Sequence, residues 1–265
     1  MTETHIITED HGDHLVVIND NPRRRNALTD SFQEGFAEAL ALAGRKSRIG
    51  AVVLTGAEGF FCAGGDLSVL QRGPDLPFEE RRRIIQNLQD LIRAMIACPR
   101  PVIAAVEGGA AGAGASIALA CDLIVASQGA RFTAAYVNAG LVPDGGLTGS
   151  LTALLPAPVA AEICLTGRPM AAERLYQLGA VNLLTPAGEA LAEAQALARH
   201  LARGPAEALA SIKRLLTDAR AEMMEGRLEA EAEAMAHALG APEGAEGIRA
   251  FLEKRAPDFA TLRRP

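Results

Sequence analysis

The chain has 265 residues, 49% of them apolar, a formal net charge of -6 and a pI near 5.5. That length and composition suit one large domain, or a domain with an appendage, around a sizeable core. The acidic balance excludes non-specific adhesion to nucleic acid or to an anionic membrane surface, so a phosphate ligand needs a local basic cluster. Arg23-Arg24-Arg25 and the tail Lys254-Arg255 are the candidates. Cys62, Cys98, Cys121 and Cys164 form no CxxC pair and no zinc spacing, and read as buried thiols. The five histidines show no ligand spacing, so no metal is expected. The polar N-terminus has no apolar signal core, and no apolar run approaches the ~20 residues of a membrane span. The expectation is a cytoplasmic protein with no membrane and no nucleic-acid partner.

In chain order, His5–Glu9 and His14–Asn19 alternate and flank a turn, which predicts a hairpin. A loop, DNPRRRNALTD, follows, with Thr29 or Asp30 as N-cap of a helix over 31–42 that carries Phe32, Phe36, Ala39 and Leu40 at helical spacing. Ala51–Thr55 is a wholly apolar run, as in a buried strand, and runs into a glycine-rich stretch over 56–66. Residues 67–78 hold Gly73, Pro74 and Pro77 without a period and read as a mobile loop. A helix over 79–97 ends at Pro99 and Pro101. Pro101–Val106 is a second buried strand, followed by small residues and a helix through Ala120. Strands at 122–126 and 130–134, a turn at Pro143-Asp144-Gly145-Gly146 and helices from Leu147 complete the core. Past about 187 come four Ala/Glu/Leu-rich helical segments, broken at Gly204-Pro205, Gly226 and Gly240-Ala241-Pro242. The fold class is α/β with parallel strands, divided into a core over 1–190 and a helical region over 191–265.

The most informative feature is a duplicated strand, small-residue turn and helix: AVVLTGAEGFFCAGGDL and PVIAAVEGGAAGAGASIALA. A turn entering a helix leaves backbone N–H groups without partners, and small residues let a ligand reach them. One N–H from each turn, aimed at one carbonyl oxygen, makes an oxyanion hole; tight packing of two turns is the alternative. No P-loop or dinucleotide glycine pattern is present. Gly114-Ala115-Ser116-Ile117-Ala118 imitates a nucleophile elbow, but Ala118 stands where the second glycine belongs.

At these residues the sequence resembles the crotonase superfamily, the enoyl-CoA hydratases and isomerases. The matching stretches run nearly end to end: NPRRRNAL, AVVLTG, FFCAGGDL, PVIAAVEGGAAGAG, CDLIVAS, GLVPDGG, LTGRPMAAERLYQLGAVN and FLEKRAPDF. The resemblance implies a spiral of ββα units with a helical C-terminal region, assembled as a homotrimer or dimer of trimers. It implies an acyl-CoA thioester as substrate, with CoA part of that substrate and no separate cofactor. It puts the oxyanion donors at the N–H groups of Gly65 and Ala113, and CoA contacts at Arg23, Arg25, Ala63, Asp66, Leu67, Phe251 and Lys254. Phe251 and Lys254 match positions that close over CoA, often from a neighbouring subunit.

Hydratases of this family carry two glutamates that activate water; the matching positions here hold Ser116 and Tyr136, neither a comparable base. Those two residues are expected to shape the acyl pocket or orient the substrate. Asp144, in GLVPDGG, resembles the acidic residue of family isomerases that act on ring-derived acyl-CoA and on 3-enoyl-CoA; a dehalogenase branch has its nucleophile at a similar place. PDGG is also ordinary turn chemistry, so Asp144 reads either as a catalytic base or as a turn residue. One base suffices for a proton shift, which ranks isomerase over hydratase; a non-catalytic scaffold of the same fold is the reading from another class.

Overall fold

The first strands form because alternating apolar residues need a covered face. In the computed structural model, which describes residues 5–263, β1 (Ile6–Asp10) pairs antiparallel with β2 (His14–Asn19). Residues 1–4 lie outside the described residues. The chain continues through α1 (Asp30–Arg45), β3 (Ala51–Gly56), α2 (Leu67–Leu70), α3 (Phe78–Ala97), β4 (Val102–Val106), β5 (Gly109–Ala111) and α4 (Ala113–Ala120). Next come β6 (Leu123–Ser127), β7 (Arg131–Thr133), α5 (Leu147–Leu154), α6 (Ala157–Thr166), β8 (Met170–Ala171), α7 (Ala172–Gln177) and β9 (Leu183–Thr185). The C-terminal helices are α8 (Ala190–Ala202), α9 (Ala206–Asp218), α10 (Ala221–Gly240) and α11 (Pro242–Leu252).

The main sheet has the order β1-β2-β3-β4-β6-β9, parallel from β2 onward, as the helical connections between strands require. Its two faces follow the period of two. Leu15, Val17, Val52, Leu54, Val102, Ala104 and Val106 face one core, with α1 packed there through Phe32 and Phe36. Val16, Ala51, Val53, Ile103, Ala105 and Val125 face the other, covered by Ala190, Ala194 and Ala198 of α8. α8, which begins at Ala190, thus packs into the layer that covers this face of the sheet.

A second, small sheet runs β5-β7-β8, and Cys62 extends it through a single bridge to Ala110. Each long strand thus hands over to a short one and then to helix: β3 to Cys62 to α2 and α3, β4 to β5 to α4, β6 to β7 to α5. These are successive turns of a ββα spiral.

Three expectations change. The stretch read as an irregular mobile loop holds α2 and a 3-10 turn at Gly73–Asp75; Asp66 caps α2 by accepting from the Ser68 N–H at 3.0 Å. α10 runs unbroken through Gly226, because buried Leu228, Ala232, Met235 and Leu239 outweigh the ~1 kcal/mol that glycine costs a helix. Cys121 and Cys164 are half-buried, whereas Cys62 and Cys98 are fully enclosed.

Candidate active site

Spiral geometry brings the two glycine-rich turns together. The Cys62 N–H donates to Gly109 O at 3.2 Å and the Ala111 N–H to Cys62 O at 2.9 Å. Gly64, at φ +96°, lies so close that an added Cβ would stand 2.6 Å from Ala111 O and 3.1 Å from Ala113 N. Only a residue without a side chain fits there. The outcome is that Gly65 and Ala113, the first residue of α4, both line one cavity, and neither N–H has a protein acceptor among the described residues. Two such amides could serve as an oxyanion hole if both point at one oxygen.

The cavity has a volume of about 340 Å³, and Asp144 also lines it. Its apolar walls come from Leu70, Ile84, Ile85, Leu88, Met235 and Leu239. Asp144 arrives through a tight turn into α5: Gly145 and Gly146 both have positive φ, at +64° and +73°. A Cβ on Gly145 would meet Leu88 Cδ2 at 2.9 Å and Ser116 Cβ at 3.1 Å, which keeps the turn close against α3 and α4. The residue is therefore a turn residue and a cavity residue at once.

Asp144 is 9% exposed, and burial pushes its carboxyl up to about 7. The Tyr136 hydroxyl opposes that rise by donating to Oδ1 at 2.7 Å, and the charge of Glu231 adds to it. Tyr136 itself, buried beside a carboxylate, is held well above the ordinary phenol range and stays protonated. Ser116 Oγ lies 2.9 Å from Tyr136 Oη and 2.8 Å from the Asp144 carbonyl oxygen. With Asp144 ionised, two hydroxyl hydrogens serve these three contacts; with Asp144 protonated, three hydrogens serve three contacts and the ring closes. Burial favours the neutral acid, and the Tyr136 donor partly offsets it.

Ser116 and Tyr136 were expected to shape the acyl pocket or orient the substrate. Neither lines the cavity; both lie behind Asp144 and hold it from the protein side. Of the expected CoA contacts, Asp66 lines the cavity and makes an ion pair with Arg24. Leu67 opens α2 beside it. The Ala63 N–H donates to Arg25 O at 3.0 Å, which sets the arginine turn next to the first glycine-rich turn. Arg23 and Arg25 are exposed, and the Arg25 guanidinium sits 5.7 Å from the centre of the Phe60 ring. Phe251 and Lys254 are exposed near the end of α11 and are not among the residues that line the cavity of their own chain. Arg255 of the basic tail is tied to Glu246 and Glu253.

Sequence reasoning missed Glu231. Its carboxylate accepts from the Gly146 N–H at 2.7 Å, the Thr148 N–H at 2.8 Å and the Thr148 hydroxyl at 2.5 Å. Its signal was present: it falls inside the apolar stripe Leu228, Ala232, Met235, Leu239 of α10, where a glutamate has to be buried.

The chain is a ββα spiral in which Gly65, Ala113 and the buried Asp144 line one cavity, and comparison with known proteins gives its family. Residues 13–262 match the family model for enoyl-CoA hydratase/isomerase. The chain is 35% identical over 240 residues to the 1,2-epoxyphenylacetyl-CoA isomerase of Escherichia coli K12, covering 90% of this chain and 91% of that one. It is 32% identical over 248 residues to the 2,3-dehydroadipyl-CoA hydratase of the same organism, covering 92% and 94%. The crystal structure of an enoyl-CoA hydratase from Mycobacterium avium subsp. paratuberculosis K-10 superposes with a TM-score of 0.86 at 30% identity, over 96% of this chain and 98% of that one. The chain belongs to the enoyl-CoA hydratase/isomerase family and has the crotonase fold. Among the described residues, no helix is long and apolar enough to cross a membrane.

Proposed function

We propose that this protein is an acyl-CoA isomerase that moves a proton, and with it a double bond, beside the CoA thioester. The observation that carries the reading is the Asp144 carboxyl: buried, pushed up to about 7, and in one cavity with the free N–H groups of Gly65 and Ala113. The thioester oxygen accepts from both amides. Asp144 takes a proton from the carbon next to the carbonyl, or from the far end of an unsaturated unit. The C–H electron pair moves onto the thioester oxygen as an enolate or dienolate, which the amides stabilise. Asp144 then returns the proton at another carbon, with no net redox change. A group that both accepts and gives a proton works best with a pKa near the working pH.

The residues that replace the two glutamates of hydratases support this assignment, since Ser116 and Tyr136 hold Asp144 and supply no second base of their own. The second buried acid, Glu231, has its oxygens occupied by Gly146 and Thr148. In this reading the CoA phosphates meet Arg23 and Arg25, the adenine lies over Ala63, Asp66 and Leu67, and Phe251 and Lys254 close over CoA from a neighbouring protomer of a trimer.

The test is incubation of the enzyme with 3-enoyl-CoA and 2-enoyl-CoA thioesters in D2O, with products followed by mass spectrometry. Double-bond migration or deuterium uptake that vanishes in Asp144→Asn is the expected result. Addition of water to 2-enoyl-CoA, unaffected by that substitution, overturns the assignment.

A further inference from the structure

Buried carboxylates normally face a basic side chain, as Glu246 faces Arg249 and Arg255. Glu231 is 6% exposed and pairs with no basic side chain among the described residues. It is answered instead by the Gly146 and Thr148 N–H groups and the Thr148 hydroxyl at the start of α5. Those donors and the helix terminus favour the anion, while burial opposes it and raises its pKa. A neutral side chain could brace a helix end at lower desolvation cost. The charge calls for a reason, and its placement supplies one: Gly146 is two residues from Asp144, and α10 also supplies Met235 and Leu239 to the cavity wall.

We propose that Glu231 is a positioning residue for Asp144, clamping the Gly145-Gly146 turn onto α10 and setting a fixed negative charge behind the base. The proposal rests on the reading of Asp144 as that base. The clamp makes the cavity wall and the base loop one rigid unit, so a group that pushes Met235 or Leu239 also moves the carboxyl. The charge disfavours a second anion nearby and keeps Asp144 able to hold a proton. The titratable neighbours of Asp144 are Tyr136, from the 3-10 turn at Ala135–Ala139, and Glu231 itself; Ser116 of α4 and Leu88 of α3 bring no charge. Around Glu231, Cys164 of α6 feels its charge. Arg227 stands one turn earlier on α10 with its stem toward Gly149, and Arg82 and Arg93 of α3 are engaged by Glu225 and Glu229.

The experiment is a carboxyl 13C NMR titration of the intact protein labelled at aspartate, with the Asp144 signal assigned by its loss in Asp144→Asn. In Glu231→Gln the Asp144 midpoint is expected to fall by about one unit, and the rising limb of kcat/KM against pH to fall with it. Thr148→Val, which removes a hydrogen bond but keeps the charge, is expected to lower kcat while the midpoint stays in place. An unmoved Asp144 midpoint in Glu231→Gln overturns the proposal, whatever happens to turnover. A midpoint that moves without the rate profile supports the charge and overturns Asp144 as the base, so the two failures are distinguishable. If Glu231→Gln does not fold, full kcat in Thr148→Val overturns the clamp.

Discussion

Replacing Asp144 by asparagine removes one titration and keeps an oxygen acceptor for the Tyr136 hydroxyl, which makes it a probe of stability as well as of turnover. The carboxyl titrates at about 7 in the folded protein against an ordinary value of 3.8. Between these values the native protein keeps a proton that the unfolded chain has lost, so stability falls as pH rises through that window and levels off above about 7. The resulting destabilisation is about 1.7 kcal/mol at pH 5 and about 4 kcal/mol at pH 8. The amide of the variant does not titrate, so the stability difference between Asp144→Asn and the parent should move by about 2–3 kcal/mol in favour of the variant between pH 5 and pH 8. Urea unfolding of both proteins at matched concentration, at pH 5, 6.5 and 8, measures it. A difference that is flat with pH refutes the raised pKa and removes the physical ground for Asp144 as a proton carrier.

Three further outcomes follow from the same geometry. The kcat/KM of the wild-type protein should rise with pH to a plateau with a midpoint near 7, because the base must be ionised; Tyr136→Phe removes a donor to the carboxylate, raises the Asp144 pKa and moves that limb to higher pH. Ala113→Pro deletes one of the two proposed oxyanion donors at the first position of α4, where a helix tolerates proline, so kcat should drop about 100- to 1000-fold with the fold retained by circular dichroism. Lys213 is buried, with Nζ 2.6 Å from Asp122 Oδ2, 3.0 Å from Met95 O and 3.1 Å from Arg100 O, and it ties α9 to the core. Lys213→Ala leaves Asp122 with only the Val102 N–H and removes the donor to two carbonyls, and should cost about 1–3 kcal/mol in urea unfolding, while the kcat/KM midpoint of the folded fraction stays unchanged.

The elements with a clear period were legible. The hairpin, α1, β3, α3 and β4 appear within a few residues of their expected limits, because alternation, helical spacing or, for β3 and β4, a short wholly apolar run writes each one locally. β5, β8 and β9 were not, since two or three residues carry no period and exist only because the spiral supplies a partner strand. Gly73 and Pro74 hid α2, and the glycine at 226 suggested a break that long-range packing of α10 overrides. At the site, the types and spacing of Gly65, Ala113 and Asp144 were readable, and the Cys62–Ala110 bridge turns their shared location into geometry. Ser116 and Tyr136 were singled out for the residues they replace, but their contact with Asp144 spans 28 and 8 positions and belongs to tertiary structure. Glu231 acts across 85 positions on Gly146, a distance at which a single sequence carries no pairing information.

The two amides proposed to grip the thioester belong to the main chain, one from each of two neighbouring turns of the spiral. Ordinary substitution changes side chains and leaves an N–H in place, so the gripping half of the chemistry is insulated from point mutation at its own positions, proline apart. The acid, its holders and the apolar walls are all side chains, and each is free to drift. A lineage built on this coil can therefore exchange one reaction for another, or lose the acid entirely, and still seize the same carbonyl oxygen.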